Sequence, residues 1–260
     1  MGLFCNIMSS LKSILSLSFQ LAKAKFKLRN EGSYLGILWY LLNPLLTFLL
    51  LFFIFSSSTG QGIENYSLYL LLGIIVFNFF QQTSVEATQT ILKEYGHLIK
   101  SIKFKQEALV YSNVIKFLFS HLFEILVLVL FLVYFSIPVY NILLYLPILL
   151  LLCVFIAGFS LLLSALTVYF IDLDNIWNFA SRLLFFATPI FYSLNKGTSL
   201  FYLNLFNPIY YFIDASRNLV FYGRLPEWFI LVGCIFWPAI FFIVGIMVFN
   251  KLKKNFAERV

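Results

Sequence analysis

Two carboxylates one residue apart, Asp172 and Asp174, are the pairing in this chain most able to carry chemistry. An Asp-x-Asp turn can hold a divalent cation against a sugar-nucleotide or phosphate donor, because hard cations take carboxylate oxygens. No further acidic or histidine cluster in the sequence supports the pair. A membrane-bound glycosyl- or phosphotransferase using Asp172 and Asp174 is therefore the alternative function rather than the leading one. The two histidines, His97 and His121, are isolated, and Cys5, Cys153 and Cys234 are scattered. Neither a metal centre nor a disulfide framework is expected. No Gly-x-x-x-x-Gly-Lys-Ser/Thr loop is present to cradle nucleotide phosphates. No catalytic residue, metal or cofactor is expected in this chain.

Other polar groups stand inside apolar runs, where ionisable residues are costly and ask for an explanation. Glu124 lies deep in one run, with His121 one turn earlier on the same face, and Arg182 lies in another. The expectation is a buried Glu124–Arg182 ion pair that fixes helix packing; a polar conduit lining is the competing reading. Tyr202, Tyr210, Tyr211 and Tyr222 gather in one connection. Their rings can stack on sugar faces, or form an aromatic belt at headgroup level.

The elements that position these residues follow from composition. The 260 residues are 62% hydrophobic and 11% charged, which only an integral membrane protein tolerates. At roughly 20 apolar residues per span, the chain holds about six. The spans are placed at 35–57, 66–86, 111–135, 142–170, 175–192 and 227–249. No composition shift divides the chain, so 1–260 is one transmembrane domain. Residues 1–31 form an amphipathic interfacial helix, and 193–226 form two short re-entrant or interfacial outer helices split at Asn207-Pro208. No cleavable signal peptide is expected, because lysines interrupt the first apolar stretch.

The net charge of +7 is topology rather than nucleic-acid affinity, because it sits at the ends of apolar runs. Lys12, Lys23, Lys25, Lys27 and Arg29 precede the first span. Lys93, Lys100, Lys103 and Lys105 follow the second, and Lys251, Lys253, Lys254 and Arg259 follow the last. These regions share one side of a six-span chain, so both termini are expected in the cytoplasm.

One block combines Arg29, Ser33, Leu35, Gly36, Trp39 and Pro44 at the entry to the first span. It resembles the permease subunits of bacterial ATP-binding-cassette exporters of polysaccharides, of the O-antigen, capsule or teichoic-acid class. Three further stretches are similar. Ile91 to Phe104 resembles the family's cytoplasmic coupling segment. Tyr169-Phe-Ile-Asp172 resembles its Phe-Arg-Asp turn, with Ile171 in place of the arginine. Asn207-Pro-Ile-Tyr210 with Arg217 resembles its outer segment. Asn30 stands where the family often has an aromatic residue, and Lys105 and Val110 where it often has prolines.

The resemblance implies an ATP-driven exporter of lipid-linked polysaccharide in the bacterial inner membrane. An exporter of drugs or small lipids shares the architecture. ATP and magnesium would be held by a separate cytoplasmic ATPase subunit, present in two copies beneath a homodimer of this chain. The other partners are the lipid-linked glycan and membrane lipid, with no nucleic acid. Segment 91–109 would couple to the ATPase through Leu92, Glu94, Tyr95, Leu98, Ile99, Ile102 and Phe104. The substrate path or outer gate would use Trp39, Tyr202, Tyr210, Tyr211 and Arg217.

Overall fold

The computed structural model describes residues 2–30, 36–57, 60–101 and 104–259. Ser33, Leu35 and Ile102 therefore lie outside the described residues. Helices joined by short turns make up the fold, with no strand among the described residues. They are α1 (Gly2–Asn30), α2 (Trp39–Phe55), α3 (Tyr66–Gln89), α4 (Gly96–Ser101), α5 (Glu107–Tyr134) and α6 (Tyr145–Tyr169). Then follow α7 (Leu173–Ala187), α8 (Ser199–Asn204), α9 (Pro208–Ser216), α10 (Trp228–Leu252) and α11 (Phe256–Arg259). Two π turns extend helices: Thr90–Glu94 continues α3, and Arg217–Phe221 continues α9.

Four segments are long and apolar enough to cross a membrane: Tyr66–Glu94, Glu107–Tyr134, Val139–Tyr169 and Trp228–Arg259. The other two expected spans are short helices, α2 with 17 residues and α7 with 15. A helix as short as α7 rises only about 22 Å, less than a hydrocarbon core of about 30 Å. The apolar run 175–192 stops being helical at Ala187 because Pro189 follows. A residue before proline is driven out of the helical region, and Thr188 is extended with ψ 139°.

α3 is the central helix, and its stretch from Leu68 to Phe77 is buried throughout. Around it α2 touches α5, α5 touches α6 and α6 touches α7. α6 and α10 run parallel and form the closest pair. A Cβ on Gly245 would lie 2.1 Å from the Gly158 carbonyl oxygen, so only glycine permits this approach.

α1 packs along the first half of α5. Its inward stripe holds Ile14, Ser18, Ala22 and Phe26, while Leu15, Phe19 and Leu28 are exposed. Phe26 stacks on Tyr40 of α2 at 5.2 Å and on Phe123 of α5 at 6.5 Å, tying the first helix to the next two.

The expected Glu124–Arg182 pair is not formed. Glu124 instead bonds His121 Nδ1 at 3.0 Å, and His121 Nε2 meets the Tyr145 hydroxyl at 2.9 Å. His121 lies one turn before Glu124 on α5, whereas Arg182 projects from the exposed face of α7. A local partner at helical spacing satisfies the buried carboxyl without help from another helix.

Candidate functional site

The lysine-rich ends of α1, α3, α5 and α10 meet at one end of the bundle, here termed the basic end. Lys25 of α1 reaches Glu94 at 2.8 Å, Glu86 at 3.8 Å and the Asn113 side-chain oxygen at 2.5 Å. Lys116 of α5 is buried and paired with Glu86. Asn113 donates to the Thr90 hydroxyl at 2.6 Å, inside the π turn. Opposite charges thus join α1, α3 and α5 just where α3 widens into the expected coupling segment. A π turn inserted in a helix often marks such a functional position.

The structure divides the expected coupling residues by direction. Ile99 is 5% exposed and packs with Ile91, Leu109, Phe249 and Phe256. It cannot dock in a partner's cleft as expected, because its place in the chain's own core is already taken. Tyr95 and Phe104 lean on the same cluster, and burial together with the Glu94 and Glu86 charges pushes the Tyr95 phenol up to about 12. Leu92 is half-buried, and Glu94 is engaged by Lys25. Leu98 faces outward at 37% exposure, beside exposed His97, Lys100 and Ser101.

The lower half of α3 carries a feature that the residue-by-residue reading missed. From position 78 onward, its half-exposed residues are Asn78, Gln81, Gln82, Val85, Glu86 and Gln89. Their spacing of three and four residues places them on one helical face. All but Val85 are polar. α7 covers the adjoining face, where Ser181 meets Gln81 at 3.3 Å and the Trp177 indole donates to Ser84 at 3.1 Å. Neighbouring helices engage part of the stripe, Gln89 bonding Asp174 of α7 at 3.3 Å and Glu86 pairing with Lys116 of α5, while Asn78 and Gln82 stay half-exposed. Near its basic end lies a cavity of about 460 Å³ bordered by Asn43, Gln82, Glu86, Gln89 and Glu94. At the far end α2 and the turn after α7 converge, and Phe55 stacks on Phe191 at 4.5 Å. The result is a polar furrow on a membrane-type helix, wide at the basic end and capped by aromatic rings at the other.

The outer segment splits as expected at Asn207-Pro208, but most of its expected gate residues are structural. Arg217 is 3% exposed. Its guanidinium donates to the carbonyls of Pro189 at 2.7 Å, Ile190 at 2.7 Å and Tyr69 at 3.1 Å. Pro189 and Ile190 lie past the end of α7, where their carbonyls have no helical donor, and Arg217 satisfies them together with the Tyr69 carbonyl of α3. Tyr211 is buried against Gly233 and donates to the Leu205 carbonyl at 2.8 Å. Tyr210 is also buried, Tyr202 is 57% exposed on α8, and Trp39 is 43% exposed at the start of α2. Tyr210, Tyr211 and Arg217 therefore do not offer a free stacking face, because helix packing uses them. Trp39 and Tyr202 stand away from the furrow's aromatic cap.

The Asp172–Asp174 pair is not assembled for a metal. Asp172 is exposed, whereas buried Asp174 accepts from Thr88 at 2.7 Å, Lys93 at 2.5 Å and Asn178 at 3.0 Å. The two carboxylates face different surroundings, and Asp174 holds α7 to the end of α3. Among the described residues no group of three or more His, Cys, Asp or Glu is placed to hold a metal ion.

A family model described as "ABC-2 type transporter" matches residues 17–221, most of the chain. The chain belongs to the ABC-2 type transporter family. Among its relatives, an O-antigen export system permease protein RfbA of Klebsiella pneumoniae is 30% identical over 235 residues, covering 89% of this chain and 90% of that one. The protein of the same name from Myxococcus xanthus is 27% identical over 248 residues, covering 94% and 95%. In this ABC-2 chain the family match thus spans α1's second half, the furrow, the basic-end network and the outer segment. The furrow was legible in principle. Its polar residues recur at helical spacing in a run otherwise rich in Leu, Ile and Phe.

Proposed function

We propose that the chain is the transmembrane subunit of an ATP-driven exporter that moves lipid-linked polysaccharide of the O-antigen type across the bacterial inner membrane. The same architecture suits the capsule and teichoic-acid classes. The furrow on α3 carries this reading. Lipid offers no hydrogen bonds, so half-exposed Asn78 and Gln82, beside the Glu86 carboxylate that Lys116 pairs, call for water, a partner or a hydroxylated substrate. The names of the relatives supply the substrate class.

On this reading α2, α3, α5, α6, α7 and α10 are the six spans, and the basic end is cytoplasmic because lysines accumulate there. ATP is hydrolysed by a separate subunit that docks against Leu98 and its exposed neighbours on α4. Two copies of the chain pair around the furrow. A second copy is supported by α7, whose uncovered stripe holds Ile176, Phe179, Arg182, Leu183 and Phe186. An arginine at membrane depth costs roughly 3 kcal/mol against lipid, so a protein or water-lined neighbour suits it better.

Cysteine labelling tests the furrow. Gln82→Cys should react with a membrane-impermeant maleimide in inside-out vesicles, while Phe53→Cys on the exposed face of α2 should not. Equal protection of both would overturn the conduit. In cells lacking the chain, lipid-linked polymer should accumulate and be cleared by the wild-type gene.

A further inference from the structure

A second polar space lies at the opposite end from the furrow's mouth. It is a cavity of about 350 Å³ between the 194–196 turn, α8, α9, its π turn and the start of α10. Its polar lining is Lys196, Tyr210, Asp214, Asn218, Arg224 and Glu227, and Phe201 and Phe229 add aromatic surface. The same two rings border an apolar groove of about 830 Å³ on their other side.

Most of these polar groups hold one another in place. Asn218 donates to Asp214 at 2.9 Å and accepts from Arg224 Nε at 2.7 Å, while Lys196 reaches Glu227 at 2.6 Å. Tyr210 is different. The residue as a whole is 6% exposed, but its hydroxyl opens on the cavity and is not among the buried side-chain atoms of the described residues that lack a partner. A hydroxyl that opens on a cavity and is not used within the protein leaves its bond to a partner that enters there. The cavity supplies the direction from which that partner comes.

The lining also says what kind of partner. Two cationic and two anionic side chains balance, so the space selects neither an anion nor a cation. It does offer fixed donors and acceptors side by side, together with two ring faces. Its size is at the lower limit of small-ligand sites. A sugar residue presents neighbouring hydroxyls that donate and accept, and an apolar C–H face that rings can cover. We infer that this outer cavity is a binding site for one neutral sugar residue of the exported glycan, with the Tyr210 hydroxyl as a direct contact. The inference rests on the glycan-export reading given above. It adds a binding site that acts after the polymer has passed the furrow.

The test uses the full complex of this chain with its ATPase subunit in nanodiscs. Free D-mannose, D-galactose, D-glucose and L-rhamnose are the probes, read by saturation-transfer NMR. At least one should bind, and Tyr210→Phe should weaken it about fivefold, the loss of one hydrogen bond. Tyr210→Phe keeps the ring and removes no bond within the protein, so folding is not at issue. Asp214→Asn should weaken the same sugar as a second, independent change. Absence of binding by all four sugars, or equal binding by wild type and both variants, would overturn the site. Clearance of lipid-linked polymer in cells separates the two readings. If the wild-type gene clears it and both variants clear it as fast, the cavity fails while the export reading stands. If the wild-type gene clears nothing, the export reading fails and takes the cavity with it.

Discussion

Arg217 illustrates how a single residue can hold several elements without an acidic partner. Its guanidinium has five donors in a rigid fork, and carbonyls from α3 and from the turn after α7 receive them. The residue opposite must be small. A Cβ on Gly73 would lie 2.7 Å from Arg217 Nη2 and 3.2 Å from Ile190 Cγ2. Gly73→Ala should therefore lower stability by about 1–3 kcal/mol, as overpacking does. Gly62→Ala, where nothing lies within 4 Å of the added carbon, should be near neutral. Thermal unfolding of both variants in detergent checks the difference. Arg217 stood out in sequence, but its role did not. Its partners are backbone carbonyls, and Tyr69 is 148 residues away. Carbonyls carry no side-chain signature. By contrast, the bond from His121 to Glu124 needed only helical spacing, yet a distant arginine seemed the stronger partner for a buried carboxylate.

At the scale of elements, most of the long helices were legible because twenty or more apolar residues in a row have few other fates. α7 was read too long, and the reason was in the sequence: Thr188-Pro189 is a helix stop inside an apolar run. The expected coupling segment lies at the basic end, and its expected docking residues do not share one outward face. Periodicity in a short mixed stretch does not say which face meets the chain's own core. The structure separates them at neighbouring positions, and so yields a clean experiment. Leu98→Asp should leave thermal stability within about 0.5 kcal/mol of wild type, as surface changes do, while reducing co-purification of the ATPase subunit. Ile99→Asp should lower stability by several kcal/mol, because a buried carboxylate there has no partner. If Leu98→Asp leaves ATPase association intact, α4 is not the docking element.

At the scale of the molecule, α1, α4 and the tail converge on one end, and the furrow opens toward it. Lys25 bridges α1 to the π turn, while Phe26 and Tyr40 bridge α1 to α2. A push on this end therefore reaches both helices that flank or floor the furrow. The uncovered stripe of α7 sets the expected assembly. Phe179→Cys, introduced at the centre of that stripe, should form a disulfide-linked dimer on mild oxidation in the membrane. Lys12→Cys, exposed on α1, serves as the comparison. Only monomer from Phe179→Cys would remove α7 from the contact between copies. α6 and α10 have a different part in this picture. Their backbones touch at Gly158 and Gly245, with no side chain between to slide or repack. A machine driven by repeated strokes needs a stator as well as a rotor arm. The glycine-locked pair is suited to stay still, so on the proposed export reading the working displacement is expected in α2 and α7, the two short helices at the furrow's edges.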